Sequence, residues 1–140
     1  MDLKTKLEEF ANQHNWDLRV VNPRWDPKQG MPESYCVDNA DEYCRKTPDW
    51  KIAAGWVWDS IHHRLVAHCW VKKRKKHKEV TQLERGIAHY GDMYLYSERA
   101  SDYIQNVCLR YNQGDPSAFG NVHSSYKLEN GKWIELPYQY

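Results

Sequence analysis

Two segments of the chain carry apolar residues at the three- and four-residue spacing of an amphipathic helix. In the first, residues 2–14, the apolar face consists of Leu3, Leu7, Phe10 and Ala11. The second covers residues 98–111 and is ended by the turn residues 112–116. Both segments are therefore predicted to be helices that pack on the domain by one stripe.

A polar start, followed by acidic and then basic residues, predicts a third helix over residues 34–46. Ser34 is a suitable N-cap, and Arg45 and Lys46 lie at the end of the segment, as the helix dipole prefers. This prediction puts Cys36 in the first turn, where backbone N–H groups have no partner within the helix.

Runs rich in Val, Ile, Trp and Thr predict an antiparallel meander after this helix. Its strands are residues 51–58, 63–72 and 78–82. A brief strand, 18–21, precedes an irregular loop that contains Trp25, and residues 86–96 are interpreted as a Tyr-rich connection. Asn130-Gly131 predicts a hairpin near the end of the chain. The expected fold is one α+β domain over residues 1–140, with helices packed on an antiparallel sheet.

The composition argues against a general attraction of the protein to nucleic acid or to a membrane. The net charge is +1, so no global field draws the protein to nucleic acid or to a membrane. The first ten residues are too charged for a secretory signal, and no apolar run approaches the ~18 residues of a membrane span. A cytoplasmic protein without a membrane partner is expected. Seven Trp and ten Tyr against two Phe indicate a core bordered by a polar groove.

The four cysteines are predicted to be free thiols. They form no CxxC pair and lie in a chain without a secretion signal; they are Cys36, Cys44, Cys69 and Cys108. Cys36, at the predicted helix start, is placed where a thiolate is favoured. Cys44 lies eight residues further along the same helix, near the end where the dipole has the wrong sign, and is interpreted as a packing thiol.

His68 lies in the middle of the second predicted strand. Alternation places it on the same face as Trp70, with Cys69 on the opposite face. If the next hairpin closes over residues 72–75, His68 lies opposite Glu79, with Cβ atoms about 5 Å apart. The Glu79 carboxylate would then hold the imidazole tautomer whose other nitrogen faces a thiol. A register shifted by one residue would move Glu79 to the other face.

A helix-start cysteine, a strand histidine and an acid on the next strand, in this order, resemble the transglutaminase-like branch of the papain-like superfamily. The segments that carry the resemblance are PESYCVDNA, GWVW, AHCWV, EVT and HYGDMY. They are similar to small phage-type members with a Cys-x-x-Asn-Ala helix start, a Gly-bearing strand, a His-x-Trp strand and an Asp-x-Thr strand. The chain departs from this pattern at Glu79, where the family usually has Asp.

The resemblance implies a papain-like/transglutaminase-like fold with Cys36 as nucleophile, His68 as general base and Glu79 as the third member of a triad. Asn39 and Trp70 would support the site. The implied chemistry is attack of the thiolate on a protein or peptide amide, which gives a thioester that water or an amine resolves. No cofactor is expected. A phage-type member would act in a host cell.

Such an attack creates an oxyanion, which hydrogen-bond donors must stabilise. The Cys36 N–H is one candidate donor. Gln29 and Trp25 are candidates for a second, from their closeness in sequence.

Other functions remain open. A non-catalytic binding module would keep the fold and hold a partner in an aromatic cleft. The basic run KKRKKHK, residues 72–78, is interpreted as a hairpin tip that is either solvated or contacts nucleic acid or an acidic protein. The residues proposed for that contact are Lys73, Arg74, Lys75 and Lys76. A metal site is disfavoured because no spacing of Cys and His matches a zinc finger or ribbon.

Overall fold

The computed structural model describes residues 2–26, 36–81, 93–120 and 123–136, which form three helices and an open sheet. The helices are α1 (Leu3–His14), α2 (Cys36–Lys46) and α3 (Glu98–Asn112), and a 3₁₀ turn (Pro116–Gly120) follows α3. The strands are β1 (Arg19–Val21), β2 (Arg24–Trp25), β3 (Lys51–Asp59), β4 (Arg64–Lys73), β5 (Lys76–Glu79), β6 (Tyr94–Ser97), β7 (Tyr126–Glu129) and β8 (Lys132–Glu135). The α+β class is confirmed.

The ends of α1 and α3 follow capping chemistry. Asp2 accepts the Lys4 N–H at the start of α1, and Ser97 accepts the Ala100 N–H at the start of α3. The cap predicted for α2, Ser34, lies outside the described residues. No helix within the described ranges is long and apolar enough to cross a bilayer.

The strand order is β1-β6-β3-β4-β5-β2, with the β7–β8 hairpin attached to β4. All pairs are antiparallel except β2 with β5, which is parallel. Two predictions were wrong here. Residues 86–96 were predicted as a connection, but Tyr94–Ser97 forms β6 between β1 and β3, and Arg24–Trp25, predicted as loop, forms β2. Both strands are too short to show a period along the sequence, and pairing with neighbouring strands fixes them.

The hairpin between β4 and β5 closes over two residues, Arg74 and Lys75, so that Lys73 pairs with Lys76. Arg74 adopts the left-handed conformation that such a tight turn needs, with φ 56°. The prediction of a wider closure over residues 72–75 was therefore wrong. The strand predicted over residues 78–82 lies instead at Lys76–Glu79, because its pairing with β4 continues up to the turn.

The observed register pairs Val71 with Lys78, whereas the prediction paired Val71 with Lys76. The difference is two residues, which is a full side-chain period of a strand. Glu79 therefore stays on the same face as His68, although it is not directly opposite His68. The face predicted for Glu79 is therefore right, although the predicted register is wrong.

One edge of β4 has two different neighbours with a gap between them. β5 pairs with residues 71–73, and β7 pairs with Arg64 and Leu65. Along residues 66–70 no strand of the described ranges pairs on this edge. Within the gap, the Ser125 hydroxyl accepts the Ala67 N–H at 2.8 Å.

The core lies between the three helices and one face of the sheet. Phe10 from α1 packs edge-on against Trp56 of β3, with ring centroids 5.2 Å apart, and both are fully buried. The helix residues of the core include Ala40 of α2 and Ile104 of α3. The other face carries a second cluster of Ala53, Trp70 and Tyr96.

Candidate active site

Cys36 is the first described residue of α2, and its thiol meets the open edge of β4. The thiol lies close enough to Cys69 and to the His68 imidazole for both residues to lower its pKa. Every second N–H of β4 points to this edge, as the bond from Ala67 to Ser125 shows. Cys69 and His68 are consecutive residues of β4, so their side chains leave the strand on opposite faces, although both act on the Cys36 thiol.

The two faces are distinct in their surroundings. Cys69 is buried within the core beneath the helices. His68 lies on the opposite face, where its ring is stacked on that of Trp70 with an interplanar angle of 27°. The alternation predicted for β4 agrees with this, and the position of Cys36 at the edge explains why both residues still contact one thiol.

A buried carboxylate binds the other side of His68. The Nε2 atom of His68 lies 2.5 Å from Oε1 of Glu79, and the two residues are 6% and 0% exposed. Nδ1 of the imidazole is therefore the nitrogen left for Cys36. The same Glu79 carboxylate accepts the Tyr94 hydroxyl at 2.6 Å and the Thr81 N–H at 3.3 Å. Three donors fix its position.

Two predicted supporting residues also lie in this network. Asn39, one turn after Cys36, donates its side-chain amide to the Thr81 hydroxyl at 3.0 Å. Trp70 covers one side of the imidazole and donates its indole N–H to Nδ1 of His77 at 2.9 Å. These contacts orient α2 and the His68 ring relative to each other.

The surroundings lower the pKa of Cys36 and raise the pKa of His68, and both changes favour an ion pair. The hydrogen bond from Cys69, helped by the charge of His68, outweighs burial and holds the pKa of Cys36 well below its usual range. Burial lowers the pKa of His68, but the Glu79 carboxylate and the Cys36 thiolate raise it to about 10. Both shifts favour a thiolate at Cys36 and an imidazolium at His68.

The other thiols have the opposite character. The hydrogen bond to Cys36, followed by burial, raises the pKa of Cys69 well above its usual range. Burial raises the pKa of Cys44 and of Cys108 to about 12. Cys44 thus has the properties expected of a packing thiol, and Cys36 is the one cysteine whose surroundings favour the anion.

No family model, curated protein or solved structure matches the chain. The superfamily resemblance therefore depends on the sequence segments that carry it, and the function must be argued from the site. Within the described ranges, no group of three or more His, Cys, Asp or Glu residues is arranged to hold a metal ion.

Of the two residues predicted as a second donor to the oxyanion, Trp25 and Gln29, the structure describes only Trp25. Trp25 lies in β2, where its Cα pairs with that of Glu79, and the residue is 38% exposed. Trp25 is thus adjacent to Glu79 and borders the surface beside it. Gln29 lies outside the described residues.

The basic run 72–78 forms the end of the β4–β5 hairpin, as predicted, but only the residues around its turn are solvated, and those at its two ends are packed. The ammonium group of Lys78 lies 4.3 Å from the ring centroid of Trp50 and donates to the Tyr43 hydroxyl at 2.8 Å. Lys72 lies over the ring of Tyr96. Strand pairing up to the turn directs these side chains onto the sheet.

Cations remain at the turn. Arg74, Lys75 and Lys76 are exposed, and Lys73 is half-exposed, 3.8 Å from the Asp49 carboxylate. The partner-binding residues proposed from the sequence are thus accessible, whereas Lys72, His77 and Lys78 of the same run are packed.

Sequence reasoning missed Tyr94, Thr81 and His123. The alternating Tyr-Leu-Tyr of residues 94–96 was a signal for β6 and hence for Tyr94. His123 donates Nε2–H to the Gly55 carbonyl at 2.6 Å, and Gly55 pairs with His68 in the central hairpin. No pattern in the sequence connects His123 to that strand.

Proposed function

We propose that this protein is a thiol-dependent hydrolase or acyltransferase that acts on a protein or peptide amide. The observation that carries the proposal is the buried His68, whose Nε2 lies 2.5 Å from the Glu79 carboxylate and whose ring is close enough to Cys36 for each residue to shift the pKa of the other. A papain-like/transglutaminase-like fold is part of the same proposal. It is supported by the helix-start cysteine, the central strand histidine and the acid on the adjoining strand.

The mechanism starts from the ion pair. The Cys36 thiolate attacks the amide carbonyl carbon, and the carbonyl π electrons move to oxygen. As the C–N bond breaks, Nδ1 of His68 gives its proton to the departing amine, which leaves a thioester on Cys36. Neutral His68 then takes a proton from water or from an acceptor amine as that molecule attacks the thioester carbonyl. The C–S bond breaks, and the Cys36 thiolate is restored. Glu79 stabilises the imidazolium and holds its orientation.

The test is the pH dependence of Cys36 alkylation by iodoacetamide, followed by peptide mass spectrometry. In the native protein, Cys36 should react fully well below the unperturbed thiol pKa of about 8.5. His68→Ala should lose this advantage, and His62→Ala, at an exposed histidine, should keep it. An inert Cys36, or one indifferent to His68, would refute the enzyme proposal and favour a binding module.

Two assays separate the reactions. Release of the leaving group from a peptide amide measures hydrolysis, and incorporation of a labelled primary amine into a protein measures transfer. Cys36→Ala should abolish whichever activity is found, because no thioester can form. Activity that persists in this variant would rule out the mechanism.

A second candidate function rests on the exposed turn of the β4–β5 hairpin. Its side chains extend away from the packed part of the basic run and could contact phosphates or an acidic protein. We expect neutralisation of Lys73, Arg74, Lys75 and Lys76 to abolish retention on immobilised nucleic acid at low salt. Unchanged retention, or no retention by the native protein, would remove nucleic acid as the partner.

A further inference from the structure

Trp70 is a fully buried ring that contacts two of the groups that hold the Glu79 carboxylate. Its indole is stacked on the His68 imidazole, with centroids 6.0 Å apart, and meets the Tyr94 ring edge-on at 5.2 Å. Nε2 of His68 and the Tyr94 hydroxyl both hydrogen-bond Oε1 of Glu79, at 2.5 Å and 2.6 Å. The position of one indole therefore affects two hydrogen bonds to the same oxygen.

A histidine outside the proposed triad fixes the far side of this indole. His77 accepts the Trp70 Nε1–H at Nδ1 over 2.9 Å, and His77 is 9% exposed. An indole N–H can only donate, and a buried donor without an acceptor is costly, so this bond favours one orientation of the Trp70 ring. Because Nδ1 accepts, the His77 ring is neutral and carries its proton on Nε2.

We propose that His77 is a positioning residue that acts on His68 through Trp70. The neutral imidazole of His77 locks the Trp70 ring against His68. Protonation of His77 releases that ring, because an imidazolium has no acceptor nitrogen. The inference rests on the proposed function only for the role of His68 as acid and base.

The surroundings of His77 disfavour its protonated form. Within the described ranges, the charged and titratable groups that face it from β4, β1 and β6 are Lys72, Arg19 and Tyr96. The two cations lie over the Tyr96 ring, 4.6 Å and 4.8 Å from its centroid, and that ring packs edge-on against His77 at 5.2 Å. Burial, and then the charges of Lys72 and Arg19, lower the pKa of His77 to about 4. The acceptor nitrogen is therefore available at neutral pH and is lost only in acid.

The experiment follows the side-chain nitrogens of histidine and tryptophan by NMR in the ¹⁵N-labelled full chain, so it needs no substrate. His77→Phe keeps a ring but has no acceptor, whereas His77→Asn keeps an acceptor oxygen close to the position of Nδ1 and does not titrate. In His77→Phe, we expect the Trp70 indole proton to exchange faster with solvent and the pKa of His68 to fall by about one unit, a tenfold loss of proton affinity. His77→Asn should restore both values. His14→Phe, at a partly buried histidine that packs on Phe10, should leave them unchanged.

An acid titration of the native protein gives a second measurement that does not depend on the folding of a variant. The His77 ring, the Trp70 indole and the His68 ring should change their chemical shifts with one shared midpoint, at the pKa of His77 of about 4. In His77→Asn, the changes with that midpoint should be absent from Trp70 and His68.

The results that would overturn the inference differ in what they say about the proposed function. If the pKa of His68 is the same in folded His77→Phe, or if Trp70 and His68 titrate independently of His77 in the native protein, His77 does not position His68, and the proposed function stands. If the pKa of His68 in the native protein is near the unperturbed value of about 6.5, Glu79 does not stabilise an imidazolium, and both proposals fail. Circular dichroism checks that His77→Phe is folded; if it is not, the native titration decides the question.

Discussion

At the residue scale, the site depends on one carboxylate that three donors hold in place. Glu79 binds Nε2 of His68, the Tyr94 hydroxyl and the Thr81 N–H. Burial works against the charged imidazole, so the negative charge of Glu79 is what makes an imidazolium possible in this environment. The charge of Glu79, more than its hydrogen bond, should therefore control the reactivity of Cys36.

Glu79→Gln tests this directly. Glutamine keeps the size and can still accept a hydrogen bond, but it removes the charge that raises the pKa of His68. The ion pair becomes less stable, and we expect the rate of Cys36 alkylation at pH 6 to fall about tenfold or more, the equivalent of one pKa unit. Glu8→Gln, on the exposed face of α1, is the control and should react at the native rate. Equal rates in all three proteins would show that the carboxylate does not act on the thiol.

A second residue-scale constraint lies behind His68. Gly55 pairs with His68 in the central hairpin, and β6 passes so close that a Cβ at Gly55 would lie 1.9 Å from the Leu95 carbonyl oxygen. Gly55→Ala must therefore separate β3 from β6, and we expect the free energy of unfolding to fall by about 3 kcal/mol or more.

Urea unfolding measures this effect, with Gly114→Ala as the comparison. Gly114 has a positive φ of 100° but open space around its Cα, so only backbone strain of about 1 kcal/mol is expected there. If Gly55→Ala were no more destabilising than Gly114→Ala, the close approach of β6 would not be a real constraint.

At the element scale, the β4–β5 hairpin shows what sequence patterns could and could not establish. Alternation along β4 placed His68 and Trp70 on one face, which agrees with the structure, because a strand has a fixed period of two residues. The closure of the hairpin was wrong, because a run of cations gives no hydrophobic pattern that fixes a register. β2 and β6 were missed for a related reason, since strands of two and four residues are specified by their neighbours.

The packed half of the basic run makes the hairpin part of the fold. Lys78, with a side chain that is 15% exposed, lies over Trp50 and binds the Tyr43 hydroxyl. Lys78→Met keeps the aliphatic stem but removes the cation, and we expect a loss of about 1–2 kcal/mol of stability. Lys75→Met, at the exposed turn, should change stability by less than about 0.5 kcal/mol. Thermal or urea unfolding that gave equal values for the two variants would contradict this division of the run.

At the scale of the whole molecule, the site forms where three parts of the chain meet at the open edge of β4. The sequence predicted each part separately: a helix starting near Cys36, a strand with His68, and an acid on the next strand. It did not predict that the edge would be open beside residues 66–70, because that depends on where β5 ends and where β7 begins. The contact between Cys36 and Cys69 follows from this opening and was therefore invisible in the sequence.

The ion pair also has a consequence for the stability of the whole protein. Between about pH 6.5 and 8.5, the unfolded chain carries one proton on Cys36 and none on His68, whereas the folded chain carries it on His68. The lowered pKa of Cys36 makes stability rise with pH in this window, and the raised pKa of His68 makes it fall. The two slopes cancel, so the pair leaves the free energy of unfolding flat across the window.

Other titratable groups limit the pH range over which the free energy of unfolding is flat. Burial lowers the pKa of His77 to about 4 and also lowers that of His123, so the unfolded chain binds more protons below pH 6.5 and stability falls there. Above pH 8.5, the raised pKa values of Cys44 and Cys108 keep protons on the folded protein that the unfolded chain loses, and stability falls again.

Cys36→Ala removes the lowered thiol pKa, which is one of the two opposing effects on the pH dependence of stability. The contribution of the thiolate to the pKa of His68 is lost, but Glu79 still raises that pKa against burial. Wherever His68 stays protonated above pH 6.5, the folded variant holds one proton more than its unfolded chain. Its stability should fall by up to about 1.4 kcal/mol per pH unit until His68 loses that proton. Urea unfolding from pH 6.5 to 8.5 would measure this slope, with Cys44→Ala as the control that stays flat. A flat profile in Cys36→Ala would mean that Glu79 alone does not keep the proton on His68, and a sloping profile in the native protein would mean that the two opposing shifts do not cancel.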